Sequence, residues 1–317
     1  MTGPDRPGPY AARTMSAPPL AHHADIPESE ITEGDIAFRR RRLGSAAGAQ
    51  RIGCSHYLVG PGARQMPLHV HGDEEEIFYV LGGDGLTVDG DRAYAVGVED
   101  AVVQRPGGRP HTFLAGESGL ELIAFGSGSE TSLTFLPRAG VMWCGPRWVP
   151  LDAPHPFTAE GLAGPLTPPP VDPAVPRPGH IVALADVATQ PRPAGAVRQL
   201  GAAAGAVKAG LNHVTLAPGA CGAPAHCHSL EEELFVVLSG TGTLTLGVDT
   251  HPLIAGDVVA RPAGTGVTHA LHAGADGLVY LVYGTREPGD AVYLPDAGTV
   301  RLSGLGVTLT IAASASA

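Results

Sequence analysis

Two sets of four residues in this chain have the types and spacing of a metal site: His69, His71, Glu76 and His111, then His226, His228, Glu233 and His269. Residues two apart on a β-strand point to the same side, so each His-X-His pair offers two imidazoles to one face. A carboxylate five positions further on arrives from the next strand after a turn, and the distant histidine returns on a separate hairpin. Three neutral imidazoles and one carboxylate suit a divalent Mn, Fe, Co, Ni, Cu or Zn ion, one per half of the chain. Such an ion keeps coordination positions open for water, oxygen or substrate, which is what permits chemistry. His272 competes with His269 for the last position, but a longer loop delivers His269 without moving the strand that follows.

The elements that position these residues are themselves duplicated. His69 and His226, His71 and His228, Glu76 and Glu233, and Gly83 and Gly240 are each 157 positions apart. Upstream, LGSAAGAQRIGCSHYLVGPG from Leu43 aligns with LGAAAGAVKAGLNHVTLAPG from Leu200, and downstream Leu136, Pro137 and Gly140 match Leu294, Pro295 and Gly298 at an offset of 158. The repeat therefore spans a whole domain of roughly a hundred residues. With 317 residues, 44% of them hydrophobic, the chain can bury two cores. Runs such as EIFYVLGGDGLTVDG and ELFVVLSGTGTLTLGVD are β-branched and aromatic and are broken by Gly and Asp turns, and 44 Gly and 30 Pro punctuate the chain without long helical periodicity. The expectation is an all-β protein of two tandem jelly-roll barrels.

The expected organisation is a flexible arm over residues 1–30, a first domain over 31–150, a Pro-rich linker over 151–178, a second domain over 179–310 and a tail over 311–317. The arm is rich in Pro, Ala and His without periodicity, and His22 and His23 are placed in it. The linker is expected to resist helix and to act as a semi-rigid strap between the halves.

A net charge of −11 argues against nucleic acid as a partner. The one basic run, Arg39 to Arg42, reads as a solvated strand edge or an anion contact between subunits. Four cysteines in so long a chain, none in CxxC spacing, point to a reducing compartment. Cys227, between two ligand histidines, is expected to pack away from them. No export-type apolar core and no run of eighteen apolar residues occurs, so a cytoplasmic protein with no membrane contact is expected.

Further residues are candidates for a pocket that takes a small-molecule substrate. His56 and His213 occupy equivalent positions before each His-X-His and read either as cavity groups near neutral pH or as partners between strands. Phe78 and Phe235, two residues after each ligand Glu, are expected to face inward as an apolar wall. Arg105 and Arg261 precede the prolines of the second motif and read as structural ion-pair partners or as forks for an anionic substrate. Glu74, Glu75, Glu231 and Glu232 read as solvated turn residues.

Taken together, HVHGDEEEIFYVLGG with Pro106, Gly108 and His111, and HCHSLEEELFVVLSG with Gly256, Pro262, Gly264 and His269, resemble the cupin superfamily, with motifs G(X)5HXH(X)3–4E(X)6G and G(X)5PXG(X)2H(X)3N. The resemblance covers most of both halves. The departures are six residues rather than five between Gly62 and His69, Glu99 where Gly is usual before Asp100, Ala115 in place of Asn, and four residues rather than two between Gly264 and His269. The resemblance implies a metal-dependent two-domain enzyme and leaves its activity open. The leading expectation is a dioxygenase-type oxidoreductase in which a ferrous or similar ion binds a phenolic or enolic substrate, with Glu76 or Glu233 as the possible base. The alternatives are a metal-dependent isomerase, lyase or decarboxylase, and a non-enzymatic binding cupin. A homodimer is expected through the amino-terminal arm and Arg39 to Arg42.

Overall fold

The computed structural model describes residues 20–128, 133–144 and 156–311. In the first half the strands are β1 (Leu20–His22), β2 (Glu28–Glu33), β3 (Ile36–Arg41), β4 (Gly53–Val59), β5 (Val70–His71), β6 (Glu76–Asp89), β7 (Arg92–Gly97), β8 (Asp100–Gln104), β9 (His111–Gly126), β10 (Leu133–Leu136) and β11 (Val141–Cys144). In the second they are β12 (Ile181–Ala183), β13 (Gln190–Arg192), β14 (Gly195–Arg198), β15 (Ala209–Leu216), β16 (Cys227–His228), β17 (Glu233–Leu246), β18 (Asp249–Ile254), β19 (Asp257–Arg261), β20 (His269–Thr285), β21 (Ala291–Leu294), β22 (Thr299–Leu302) and β23 (Val307–Thr310). The helices are short: α1 (Leu43–Ala46), α2 (Pro156–Leu162) and α3 (Leu200–Ala203). Among the described residues no helix is long and apolar enough to cross a membrane.

Each half is a jelly roll closed by a large and a small antiparallel sheet. The large sheets run β12-β8-β6-β9-β4-β3-β2, with β7 on β6, and β1-β19-β17-β20-β15-β14-β13, with β18 on β17; the small ones are β11-β10-β5 and β16-β21-β22-β23. One face of each large sheet lines its own barrel and the other packs on the opposite half. Ile77, Tyr79, Ile123 and Phe125 share one apolar cluster with Leu234, Val236, Leu281 and Tyr283, and the equivalent rings of Phe125 and Tyr283 stack with centroids 5.1 Å apart. Burial of both faces explains why EIFYVL and ELFVVL are continuous apolar runs rather than alternating ones.

The two halves exchange strands. β1 pairs with β19 of the second barrel, Leu20 opposite Val259, while β12 pairs with β8 of the first, Ile181 opposite Val102. Residues 20–30, expected in the flexible arm, are therefore structured: β1 completes a sheet edge, His22 Nδ1 lies 2.9 Å from Asp257, and β2 begins at Glu28. The physical reason is that an open sheet edge presents unpaired N–H and C=O groups, and a short extended segment satisfies them whatever its composition. The exchange occurs within one chain.

The linker departs from expectation in the same way, because α2 lies inside it. Proline is tolerated at the first turn of a helix, and after Pro156 the next proline is Pro165. The helix docks on the first barrel: Phe157 packs on Phe38, and the wholly buried Arg64 donates through Nη1 to Glu160 Oε1 at 2.5 Å and through Nη2 to Asp35 Oδ1 at 2.6 Å.

Two turns explain the motif glycines. Gly83 (φ 75°) and Gly240 (φ 83°) sit at matching bulges in β6 and β17, where a Cβ would lie 2.1 Å and 2.2 Å from the carbonyl oxygens of Gly119 and Gly277. Glu99 adopts the left-handed conformation (φ 69°) that Gly256 (φ 92°) adopts in the second copy, so the first barrel tolerates a side chain there at some cost in strain.

The glutamate runs need a correction. Glu75 and Glu232 are not solvated: they are 0% and 1% exposed. Glu75 accepts from the backbone N–H groups of Val207, Lys208 and Ala209 at 2.8, 3.0 and 3.0 Å. Glu232 accepts from those of Gln50, Arg51 and Ile52, each at 2.7 Å. Alternation is the cause: each ligand Glu faces its own barrel, so the residue before it faces the other half, where the turn after α1 or α3 presents unpaired N–H groups.

Candidate metal centres

β5 and β16 carry the His-X-His pairs, β6 and β17 open on the ligand glutamates, and β9 and β20 open on the last histidines. Reciprocal backbone bonds between His69 and His111, and between His226 and His269, lock these elements together. The Nε2 atoms of His69, His71 and His111 lie 3.4, 3.2 and 2.9 Å from Glu76 Oε2. In the second half, Nε2 of His226, His228 and His269 lie 3.7, 3.4 and 3.0 Å from Glu233 Oε2. Donors about 2.1 Å from a shared ion and at right angles to one another stand about 3 Å apart, so both clusters fit one. Buried His71 Nε2, His269 Nε2 and Glu233 Oε2 also have no hydrogen-bond partner of good geometry. The fold thus brings together all four residues of each set, while His272 pairs with Thr243 elsewhere on β20.

The other imidazole nitrogens orient the rings. Nδ1 of His69 and of His226 each lies 2.7 Å from a carbonyl, Pro67 and Pro224, which accepts a hydrogen bond from Nδ1–H and leaves the Nε2 lone pair free to bind an ion. His71 Nδ1 meets the Thr134 hydroxyl at 3.0 Å, whereas His228 Nδ1 meets the buried carboxylate of Asp290 at 2.7 Å. Burial would raise the Glu76 carboxyl, but the His71 charge, the 2.9 Å contact with His111 and the neighbouring His69 ring hold it well below the usual range. Glu233 is held low against its burial by the same kind of contacts from His226 and His269. Burial and the charge of His69 push His111 down to about 4, despite Glu76, so this ring is neutral and ready to coordinate.

Asp290 and Thr134 escape sequence reasoning because they lie on or beside strands that meet the His-X-His pairs only in the fold. The aligned copies show Asp290 as an unmatched acid, but nothing in the pattern states its role. Asp290→Asn is expected to weaken metal binding at the second centre by roughly 10- to 100-fold and leave the first unchanged. Competitive titration with a chelator, on variants retaining one centre each, checks this.

Several candidates fall elsewhere. His56 lies on the face of β4 away from the cluster, with Nε2 2.7 Å from Glu121 and its ring 5.6 Å from that of His23. His213 faces the other half, 6.4 Å from the Tyr79 ring. Neither lines a metal cavity; a one-residue step on a strand inverts the face, and Ser55, Tyr57, Asn212 and Val214 point inward instead. Phe78 and Phe235 do face inward, with rings 6.1 Å from His111 and 5.5 Å from His269. Arg105 is exposed beside Gly205, whereas Arg261 is buried opposite Glu233 and donates to the Val267 carbonyl at 2.6 Å. The counterpart of Arg261 is Gln104, opposite Glu76, not Arg105. The long second loop also resolves: Gly264, like Gly107, donates to the second histidine of its pair, so only one residue is added before His269. Cys227 is buried on β16 and takes no part in the cluster.

A family model described as a cupin domain matches residues 55–125 and 212–283, the two stretches that carry these clusters. The protein is a two-domain cupin. Among solved structures this cupin superposes on the formate complex of oxalate decarboxylase from Lactobacillus farciminis with a TM-score of 0.60 at 19% identity, covering 84% of this chain and 86% of that one. It superposes on oxalate decarboxylase from Bacillus subtilis with a TM-score of 0.58 at 19% identity, covering 87% and 78%. At such identity the likeness is one of fold. No curated protein sequence matches the cupin significantly.

Proposed function

We propose that this protein is a metal-dependent enzyme of the lyase or isomerase kind, acting on a small organic acid or enol. The observation that carries the reading is the convergence of three imidazoles on one carboxylate in each half, with the second cluster opening on a cavity of about 500 Å³. When bound, a divalent ion supplies Lewis acidity, polarising an anionic oxygen of the substrate. His226, His228, Glu233 and His269 would hold it in the second domain, and His69, His71, Glu76 and His111 in the first. Glu233, which lines the cavity, would accept a substrate proton, and Phe235 and Tyr280 give that end an apolar wall. The donor set suits Fe, Mn, Co, Ni, Cu or Zn, and no residue here singles out iron.

The lyase class stands first because the solved structures superposed above are decarboxylases with the same two-domain arrangement. The second reading is the dioxygenase, favoured by the apolar, aromatic wall of the cavity. Dioxygen separates them. Metal-loaded protein is expected to turn over a small carboxylic or enolic substrate under anaerobic conditions, with carbon dioxide or an isomer as product. Turnover that stops without oxygen and consumes it mole for mole would overturn the lyase reading in favour of the dioxygenase.

A further inference from the structure

The two barrels carry the same ligands but are not equally open. Strand register pairs Phe38 with Val59 and Gly195 with Leu216, so Gly195 of the second barrel stands where Phe38 stands in the first. By the same alignment Arg40, Tyr57 and Phe113 become Val197, Val214 and Leu271. In the first barrel these side chains fill the interior: Phe38 and Tyr57 pack edge to face at 5.3 Å, Phe78 and Phe113 lie 4.8 Å apart, and Phe157 of α2 covers Phe38. In the second, Gly195, Val197, Val214 and Leu271 all line the cavity of about 500 Å³, whose floor is His226, Glu233 and His269. In the opposite sense Ser55, Val59, Leu122 and Ala124 become Asn212, Leu216, Tyr280 and Val282, which thicken the wall without closing the cavity. That volume is typical of small-molecule sites.

The hollow that reaches the first cluster has a different character. It is about 760 Å³, touches only Glu76 of the four ligands, and is formed by the turn Gln50 to Ser55 together with Glu74, Tyr57 and Phe125. Its apolar side chains, Ile52, Tyr57, Ala124 and Phe125, are mixed with Arg51, Glu74 and Glu76, and none of the three ligand histidines lines it, so the first cluster is approached there past Glu76 alone.

We propose that the centres divide the work: the second domain binds the organic substrate, an anion with an apolar or aromatic body and one acidic oxygen directed at the metal, while the first domain's centre takes no such ligand. This rests on the metal-dependent reading above and names the substrate class and the site. Four large side chains reduced at one address, all on the same cavity, are hard to reconcile with two equivalent sites, because a filled interior is the cheaper state for a barrel with nothing to bind.

The probe is trans-cinnamate, with cobalt(II) as the metal, read by broadening of the cinnamate proton resonances. Full-length wild-type protein and the His69→Ala variant, which keeps the second centre, are expected to bind and broaden cinnamate, and the His226→Ala variant is not. Leu271→Phe and, separately, Val214→Tyr restore the bulk found in the first barrel; each is expected to weaken binding at least tenfold with cobalt content unchanged. Undiminished broadening in His226→Ala, binding within twofold of wild type in both cavity variants, or no cinnamate binding at all would each overturn the inference. Failure of cobalt to bind anywhere would instead overturn the metal-dependent reading. In that case, cinnamate binding to metal-free protein that is lost in Leu271→Phe would still support the cavity.

Discussion

Glu75→Ala and Glu232→Ala each lower the free energy of unfolding by about 3–5 kcal/mol, because each leaves three backbone N–H groups at the domain interface without the carboxylate they donate to. Against a total stability of about 5–15 kcal/mol this is a large fraction, and the melting temperature is expected to fall by on the order of 10 °C. Glu75→Gln and Glu232→Gln keep one acceptor oxygen and are expected to lose about half as much. Calorimetry on the variants, with exposed Glu117→Ala as a control within about 0.5 kcal/mol of wild type, checks the account. A change no larger than the control's would mean that the interface does not depend on these carboxylates. The position of the clasp adds a second consequence. Each buried glutamate immediately precedes a ligand glutamate, and the turn it grips leads into the strand lining the other domain's hollow. Loosening one clasp is therefore expected to lower metal affinity at the centre beside it, not only global stability.

The second large effect concerns turnover. His226→Ala is expected to reduce activity at least about 100-fold, since it removes a donor from the centre on which the substrate cavity opens. His69→Ala is expected to keep activity within about threefold of wild type while the protein holds one ion fewer. Steady-state rates on metal-loaded protein, normalised to metal content, decide the point. Comparable losses in both variants would show that the two centres act together or that each is catalytic.

Much of this site was legible before any coordinates. The His-X-His pairs and the glutamates that follow them announce themselves because strand periodicity places two imidazoles on one face and the copies repeat at an offset of 157; the last histidine of the second set lies one position out of that register, and the loop before it favours His269 over His272. The division into two β-barrels follows from the same repeat. Four features were not legible. His56 and His213 were placed in the pocket because their repetition looked functional, yet face is decided by counting strand positions through a loop whose geometry the sequence does not show. Acidic runs are usually solvated, which is what the sequence suggests for Glu75 and Glu232; only the docking of the two large sheets reveals that the outward face is covered. Residues 20–30 and helix α2 were read from composition, whereas an unpaired sheet edge and a barrel end needing a cover decided their structure. Finally, the substitutions that open the second barrel are visible in the aligned copies, Phe38 and Gly195 being 157 positions apart like the ligands, but only the strand pairing shows that these positions face one barrel interior.

Element-resolved metal analysis of purified, tag-free protein tests the central claim most directly, performed on the wild type beside the His69→Ala and His226→Ala variants. Two equivalents of a divalent transition metal in the wild type and one in each variant are what this structure predicts. Failure of the wild type to bind any such ion after reconstitution with Mn, Fe, Co, Ni, Cu and Zn would contradict it.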